Sequence, residues 1–100
     1  MNELVQGNQW VWVIVQDPGG NEQFLGQRDD EEGISIIPTF LEKDEAQECL
    51  KYLDRDTRKD YEVQAIQYEE LAHYSGKNGF KLFILNGSGE IIEKVDPLSP

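Results

Sequence analysis

Two side chains of this sequence have the chemistry of a nucleophile and its general base: Cys49, the single cysteine, and His73, the single histidine. Such a pair works only if the two groups touch and a third group orients the histidine. Cys49 instead stands at helical spacing from Ala46 and Leu53, which is typical of a buried structural cysteine. His73 is predicted to face solvent. One cysteine and one histidine exclude an intrachain disulfide, a zinc–cysteine cluster and a multi-histidine metal site.

Four consecutive acidic residues, Asp29, Asp30, Glu31 and Glu32, carry oxygen atoms of the kind that Ca²⁺ prefers. An EF-hand loop places its ligands at alternate positions around a central glycine, and this run does not. A solvated loop is the favoured interpretation, and the four residues are also a candidate interaction surface. The glycine pairs of the chain follow a helix or join two strands, which is turn geometry and not a phosphate loop. No metal or cofactor is therefore predicted.

Trp10 and Trp12 are the largest candidate interaction residues. They stand two positions apart in a predicted strand, so they share one face of a sheet. A helix that covers this face would make both of them core residues, which is the more common arrangement. An open face would instead present an aromatic patch of the kind that binds a partner. The sequence leaves both alternatives open.

Two strongly apolar strands, 9–16 and 80–85, are predicted to form the centre of the sheet that positions the candidate residues. Both faces of the first strand are apolar, since Trp10, Trp12 and Ile14 alternate with valines, so this strand should lie in the interior of a sheet. The second is expected beside it. Turn signals and periodicity predict the remaining elements: strands at 22–26, 34–40, 61–66 and 91–95, a helix at 44–53 with Asp44 as its N-cap, and a helix at 68–75 with Gly76 after its end.

The resulting order, β-β-β-α-β-α-β-β, predicts an α+β fold with one mixed sheet and two helices mainly on one of its faces. Because Pro38 cannot donate to a ladder, the end of its strand should lie at an edge or a bulge. Residues 9–95 are expected to form a single domain. Residues 1–8 should be a flexible lead-in and residues 96–100 a flexible tail.

Several segments carry a resemblance to known families. The step Ile37-Pro38-Thr39-Phe40, the helix start Asp44-Glu45-Ala46 and the later strand and turn from Asn78 to Asn86 resemble the small α/β domain of the enhanced-serine-sensitivity (SseB-type) family. Residues 11–15 and the step Glu32-Gly33-Ile34 are similar to small uncharacterised domains frequent in cyanobacteria and plastids. The resemblance implies a bacterial α/β domain, and it brings no catalytic residues with it.

The charge balance restricts the classes of partner that this protein can bind. Twenty acidic and nine basic residues give a net charge of −11, which repels nucleic acid and anionic membrane surfaces. Neither a signal peptide nor a membrane span is evident, so a cytoplasmic location is expected. The preferred hypothesis is a non-enzymatic protein-interaction or regulatory module with an unknown protein partner or a homodimer. The alternatives are a small-ligand-binding domain with a pocket near Trp10, Trp12 and Tyr68, and a hydrolase-like enzyme that uses paired carboxylates.

Overall fold

Seven strands and two helices make up the part of the chain that the structure, a computed structural model, describes, residues 7–97. In chain order they are β1 (Trp10–Gln16), β2 (Gln23–Phe24), β3 (Gln27–Asp29), β4 (Ile34–Thr39), α1 (Lys43–Cys49), β5 (Tyr61–Gln67), α2 (Tyr68–Asn78), β6 (Phe80–Leu85) and β7 (Ile91–Val95), with a 3₁₀ turn at Leu50–Tyr52 after α1. The α+β class is confirmed. The predicted lead-in and tail fall mostly on residues 1–6 and 98–100, which lie outside the described residues.

The strands form two sheets, where a single sheet was expected. The three-stranded sheet has the order β2-β1-β5 and is antiparallel, and the four-stranded sheet has the order β3-β4-β6-β7 with β4 and β6 parallel. Phe40, just after β4, joins them through two backbone hydrogen bonds with Trp12, of 2.8 and 2.9 Å. The junction stays this short because the chain turns from Phe40 into α1. β1 and β6 are interior strands as predicted, but they lie in different sheets.

The two helices cover opposite faces of the sheets, so the expectation of one common face is wrong. On the first face, which we call the α2 face, Val13 of β1 and Leu82 of β6 pack in one cluster with Leu71 of α2. On the other, the α1 face, Ile14 and Phe83 pack with Cys49 of α1. The physical reason lies in the strands, because β1 and β6 are apolar on both sides and each side needs a cover.

The start of α1 and the end of α2 differ from the prediction. α1 begins at Lys43, and its N-cap Glu42 makes no side-chain hydrogen bond to the helix. Asp44, the expected cap, lies inside the first turn, where its carboxylate accepts a hydrogen bond from the Glu45 amide at 3.0 Å. α2 continues through Gly76 and ends at Gly79, whose φ of 77° is the left-handed conformation that favours glycine. No helix within residues 7–97 is long and apolar enough to span a bilayer.

The predicted charged loop before β4 is partly a strand. β3 pairs with β4, with Gln27 opposite Ile36 and Asp29 opposite Ile34. A strand of three polar residues gives no periodic signal, which is why the sequence did not indicate it. Pro38 lies beyond this pairing, where β4 has only β6 as a strand neighbour, in agreement with the expected edge position.

Candidate functional site

The two tryptophans share a face but do not form one patch. Trp12 is half-buried against the cluster of the α1 face, and the ammonium of Lys43 lies 5.6 Å from its ring centroid. Trp10, at the start of β1, is 58% exposed. Trp12 is therefore partly covered on the face where α1 packs, whereas Trp10 is open to solvent. The core alternative holds for Trp12 and the exposed alternative for Trp10.

The acidic run occupies the turn between β3 and β4. Asp29 ends β3 and accepts a hydrogen bond from the Glu31 amide at 3.1 Å, while Asp30 and Glu31 are exposed. Glu32 binds Lys94 of β7, with 2.7 Å between its Oε2 and the lysine Nζ. This contact raises the pKa of Lys94 above its ordinary value, chiefly through the hydrogen bond. No group of three ligands suited to a metal ion occurs within the described part of the chain. The interaction role of residues 29–32 stays a prediction.

Cys49 and His73 lie in different surroundings. The thiol of Cys49 is completely buried in the cluster of the α1 face, as the helical spacing indicated. Burial raises its pKa, and the nearby Glu48 carboxylate raises it further. His73 is an exposed residue of α2, which packs on the opposite face.

The structure separates the residues of the expected pocket, Trp10, Trp12 and Tyr68. Tyr68 begins α2 and packs against the cluster of the α2 face, whereas Trp12 packs on the α1 face. The sheet therefore lies between the side chains of Tyr68 and Trp12. The ligand hypothesis therefore needs another location.

A groove of about 350 Å³ lies between the three-stranded sheet and α2, and we call it the α2 groove. Its floor is apolar, its wall aromatic and its rim polar. The lining residues are Val13, Val15, Phe24 and Ile66 with Tyr74, then Glu22, Gln23, Gln64, Ala65 and Glu70. Glu70 and Tyr74 lie one helical turn apart, so they present their side chains on the same side of α2.

Aromatic contacts hold the wall of the α2 groove in place. Phe24 meets Tyr74 edge to face, with 4.9 Å between the ring centroids, and Tyr74 lies over Phe80 at 6.3 Å. On the rim, the Glu22 carboxylate accepts a hydrogen bond from the Gly19 amide at 2.8 Å. Two carboxylates near aromatic faces form an environment that suits an amine or a guanidinium group.

A second groove, of about 440 Å³, lies on the other side of β5, and we call it the α1 groove. It is formed by Lys43, Gln47 and Leu50 with Tyr61, Glu62 and Val63 of β5. Tyr61 and Val63 pair with Gln16 and Ile14, so the alternation of the strand places their side chains on the α1 face. β5 thus contributes to one groove on each of its faces.

Little in the sequence indicated either groove. Phe24 lies in the strand predicted at 22–26, and Glu70 and Tyr74 lie in the helix predicted at 68–75. What was missing is the placement of α2 opposite β1 and β5, which depends on tertiary packing. Comparisons with protein-family models, with curated proteins and with solved structures find no match to this chain. The resemblance to the enhanced-serine-sensitivity family stays a prediction.

Proposed function

We propose that this chain is a non-enzymatic protein-interaction module that takes up a basic side chain of its partner in the α2 groove. The observation that carries the proposal is the lining of this groove, which combines the carboxylates of Glu22 and Glu70 with the rings of Phe24 and Tyr74. No lysine or arginine is among the described residues that line it. A guanidinium placed there gains both ion pairing and contact with the face of a ring.

The charge of the whole chain supports a cationic partner. A net charge of −11 attracts a basic segment over a distance and raises its association rate at low ionic strength. The volume of about 350 Å³ is at the lower end of the range of ligand pockets, and it suits one long side chain. The partner, the homodimer alternative and the cytoplasmic location stay predictions.

The test is an NMR titration with the peptide acetyl-Gly-Arg-Gly-amide. We expect amide shifts at Phe24, Gln64 and Tyr74, and none with acetyl-Gly-Glu-Gly-amide. Glu70→Gln should weaken binding about fivefold, because a partly exposed ion pair contributes about 1 kcal/mol. The matched control is Glu69→Gln, which removes an adjacent acid of α2 that does not line the groove. Shifts scattered over the surface, or equal effects of the two variants, contradict the proposal.

A small-ligand-binding domain is the second candidate, and the same groove favours it. A compact organic cation such as agmatine carries the guanidinium group without a peptide backbone. Thermal shift distinguishes the two, because a ligand that binds only the folded protein raises its apparent stability. Stabilisation by agmatine that equals or exceeds that by the arginine peptide favours the small ligand over the protein partner.

A further inference from the structure

Within residues 7–97 the two sheets end in four edge strands, and only one of these is both long and regular. β2 has two residues and β3 has three. β7 is longer, but its pairing with β6 is irregular near Leu85, and its Lys94 is a charge of the kind that protects an edge. β5 has seven residues, and each of them pairs with β1 in an unbroken register from Gln67 opposite Trp10 to Tyr61 opposite Gln16.

The sequence of β5 does not protect its outer edge. The strand contains no proline, lysine or arginine, and its single charged residue is Glu62. β1 is the only strand that pairs with it within residues 7–97. Natural edge strands usually carry a device that prevents further pairing, and a long regular edge without one can accept another strand.

The hydrogen bonds of β1 show which groups of β5 point outward. Trp12 directs its N–H and C=O to Phe40, on the side away from β5. Its partner across the ladder is Ala65, so this is a non-hydrogen-bonded pair, and the N–H and C=O of Ala65 face the outer edge. The same holds for Val63, since the carbonyl of its partner Ile14 accepts from Leu25. Two residues at the centre of β5 therefore offer main-chain groups to an added strand.

The grooves lie on both sides of this edge. The α2 groove reaches the main chain of β5, because Ala65 lines it although the alternation of the strand turns its side chain to the α1 face. The α1 groove reaches Glu62 in the same way from the other side. In an added strand, successive side chains would point alternately to the two faces and so to the two grooves.

We infer that the outer edge of β5 binds an extended basic segment of the partner protein by β-strand addition, with alternate side chains entering the α2 and α1 grooves. The inference rests on the proposed function and adds the conformation of the partner and its binding pattern. Charge complementarity selects the segment: Glu22, Glu62 and Glu70 lie on the α2 face, where a basic side chain fits. Leu50 and Val63 in the α1 groove favour an apolar one.

The test uses the peptide acetyl-Arg-Val-Arg-Val-Arg-Val-amide and two forms of it that are N-methylated either at all the arginines or at all the valines. Only one set of amides faces β5 in an added strand. We expect one methylated form to bind at least about tenfold more weakly than the other, because it alone loses its main-chain hydrogen bonds. Isothermal titration calorimetry measures the three affinities.

Variants of β5 provide the second measurement. Ala65→Pro removes an N–H that faces outward, so it costs no bond to β1 and is compatible with an edge strand. We expect it to weaken the unmodified peptide about tenfold. Ala65→Val, which keeps the N–H, is the conservative comparison, and we expect it to lose less affinity than Ala65→Pro; equal losses would mean that the side chain and not the N–H matters. If Ala65→Pro does not fold, the pair of methylated peptides still decides the question.

The outcomes separate the two proposals. If both methylated forms bind equally and the arginine tripeptide still shifts the α2 groove, the groove binds a side chain but β5 adds no strand, and the inference is overturned alone. If neither hexapeptide nor tripeptide binds, both proposals fail. A tenfold difference between the methylated forms together with weak binding by Ala65→Pro supports strand addition.

Discussion

Cys49 carries the only thiol of the chain, and its burial determines how that thiol reacts. It lies in the cluster of the α1 face, and its pKa is raised by burial and then by the Glu48 carboxylate. Because the thiolate is the reactive form, iodoacetamide should modify the native protein at pH 8 at least about a hundredfold more slowly than the protein in urea. Mass spectrometry of timed samples measures both rates.

The raised pKa of Cys49 also makes the free energy of unfolding depend on pH, and the sign of this dependence follows from the direction of the shift. Above about pH 8.5 the unfolded thiol ionises, whereas the raised pKa lets the folded thiol keep its proton to a higher pH. The folded state then binds more protons, so the free energy of unfolding falls as the pH rises. Urea titrations between pH 7 and 9.5 should show this decline for the native chain, and a weaker one for Cys49→Ala. Fast modification, or equal slopes for the two proteins, would contradict the assignment.

Gly79 ends α2 in a left-handed conformation, and a side chain there is strained. Gly79→Ala should lower the free energy of unfolding by about 1 kcal/mol, although no atom obstructs a β-carbon at this position. Gly76→Ala is the matched comparison, since Gly76 lies inside the helix and alanine there should stabilise by about 0.5–1 kcal/mol. Chemical denaturation of both variants measures the difference, and the same sign for both would be evidence against the described helix end.

These two glycines also show the limit of prediction at this scale. The sequence predicts a helix over residues 68–75 with Gly76 after its end, whereas the helix continues to Asn78 and Gly79 follows it. The helix passes Gly76 because Ser75 is fully buried and keeps the last turns against the sheet. Tertiary packing of this kind offsets the small propensity cost of one glycine, and a local pattern does not contain it.

At the scale of elements, α1 lacks the side-chain cap that most helices have. Glu42 has the extended conformation of an N-cap but makes no capping hydrogen bond. Serine at this position can accept one from the first turn, so Glu42→Ser should be about 1 kcal/mol more stable than Glu42→Ala, which has no acceptor. Thermal and urea unfolding of the two variants measure the difference. Equal stability would mean that the bond between Asp44 and the Glu45 amide already satisfies this end.

The elements that the sequence predicted are those whose packing is visible in their own residues. β1 and β6 are apolar on both faces, and β7 follows a turn at Asn86, so their positions were recognised. The opposite placement of the helices was not predicted, although β1 and β6 carry a signal for it, since two apolar faces need two covers. The α2 groove does not follow, because it requires that α2 leave part of β1 and β5 uncovered. No local pattern encodes that gap.

At the scale of the molecule, the two core clusters share their strands. β1, β4 and β6 each contribute alternate side chains to the α2 face and to the α1 face, as Ile37 and Ile36 of β4 show. Loss of either cluster therefore frees strands that the other cluster needs. The two sheets consequently depend on each other more than their single bridge at Trp12 and Phe40 would imply.

The net charge should give folding and binding opposite responses to salt. The chain has a net charge of −11 on 100 residues, so repulsion between the acids opposes the compact state. Salt screens this repulsion. Raising NaCl from 20 to 500 mM, concentrations at which the screening length falls from about 20 to about 4 Å, should therefore increase the free energy of unfolding by about 1 kcal/mol. The same change should weaken the arginine peptide, because its attraction to Glu22 and Glu70 is screened too. Urea unfolding and calorimetry on one protein sample measure both. KCl is the control, since screening depends on ionic strength and not on the cation. A free energy of unfolding that falls with either salt would show that repulsion between the acids does not limit the stability of this fold.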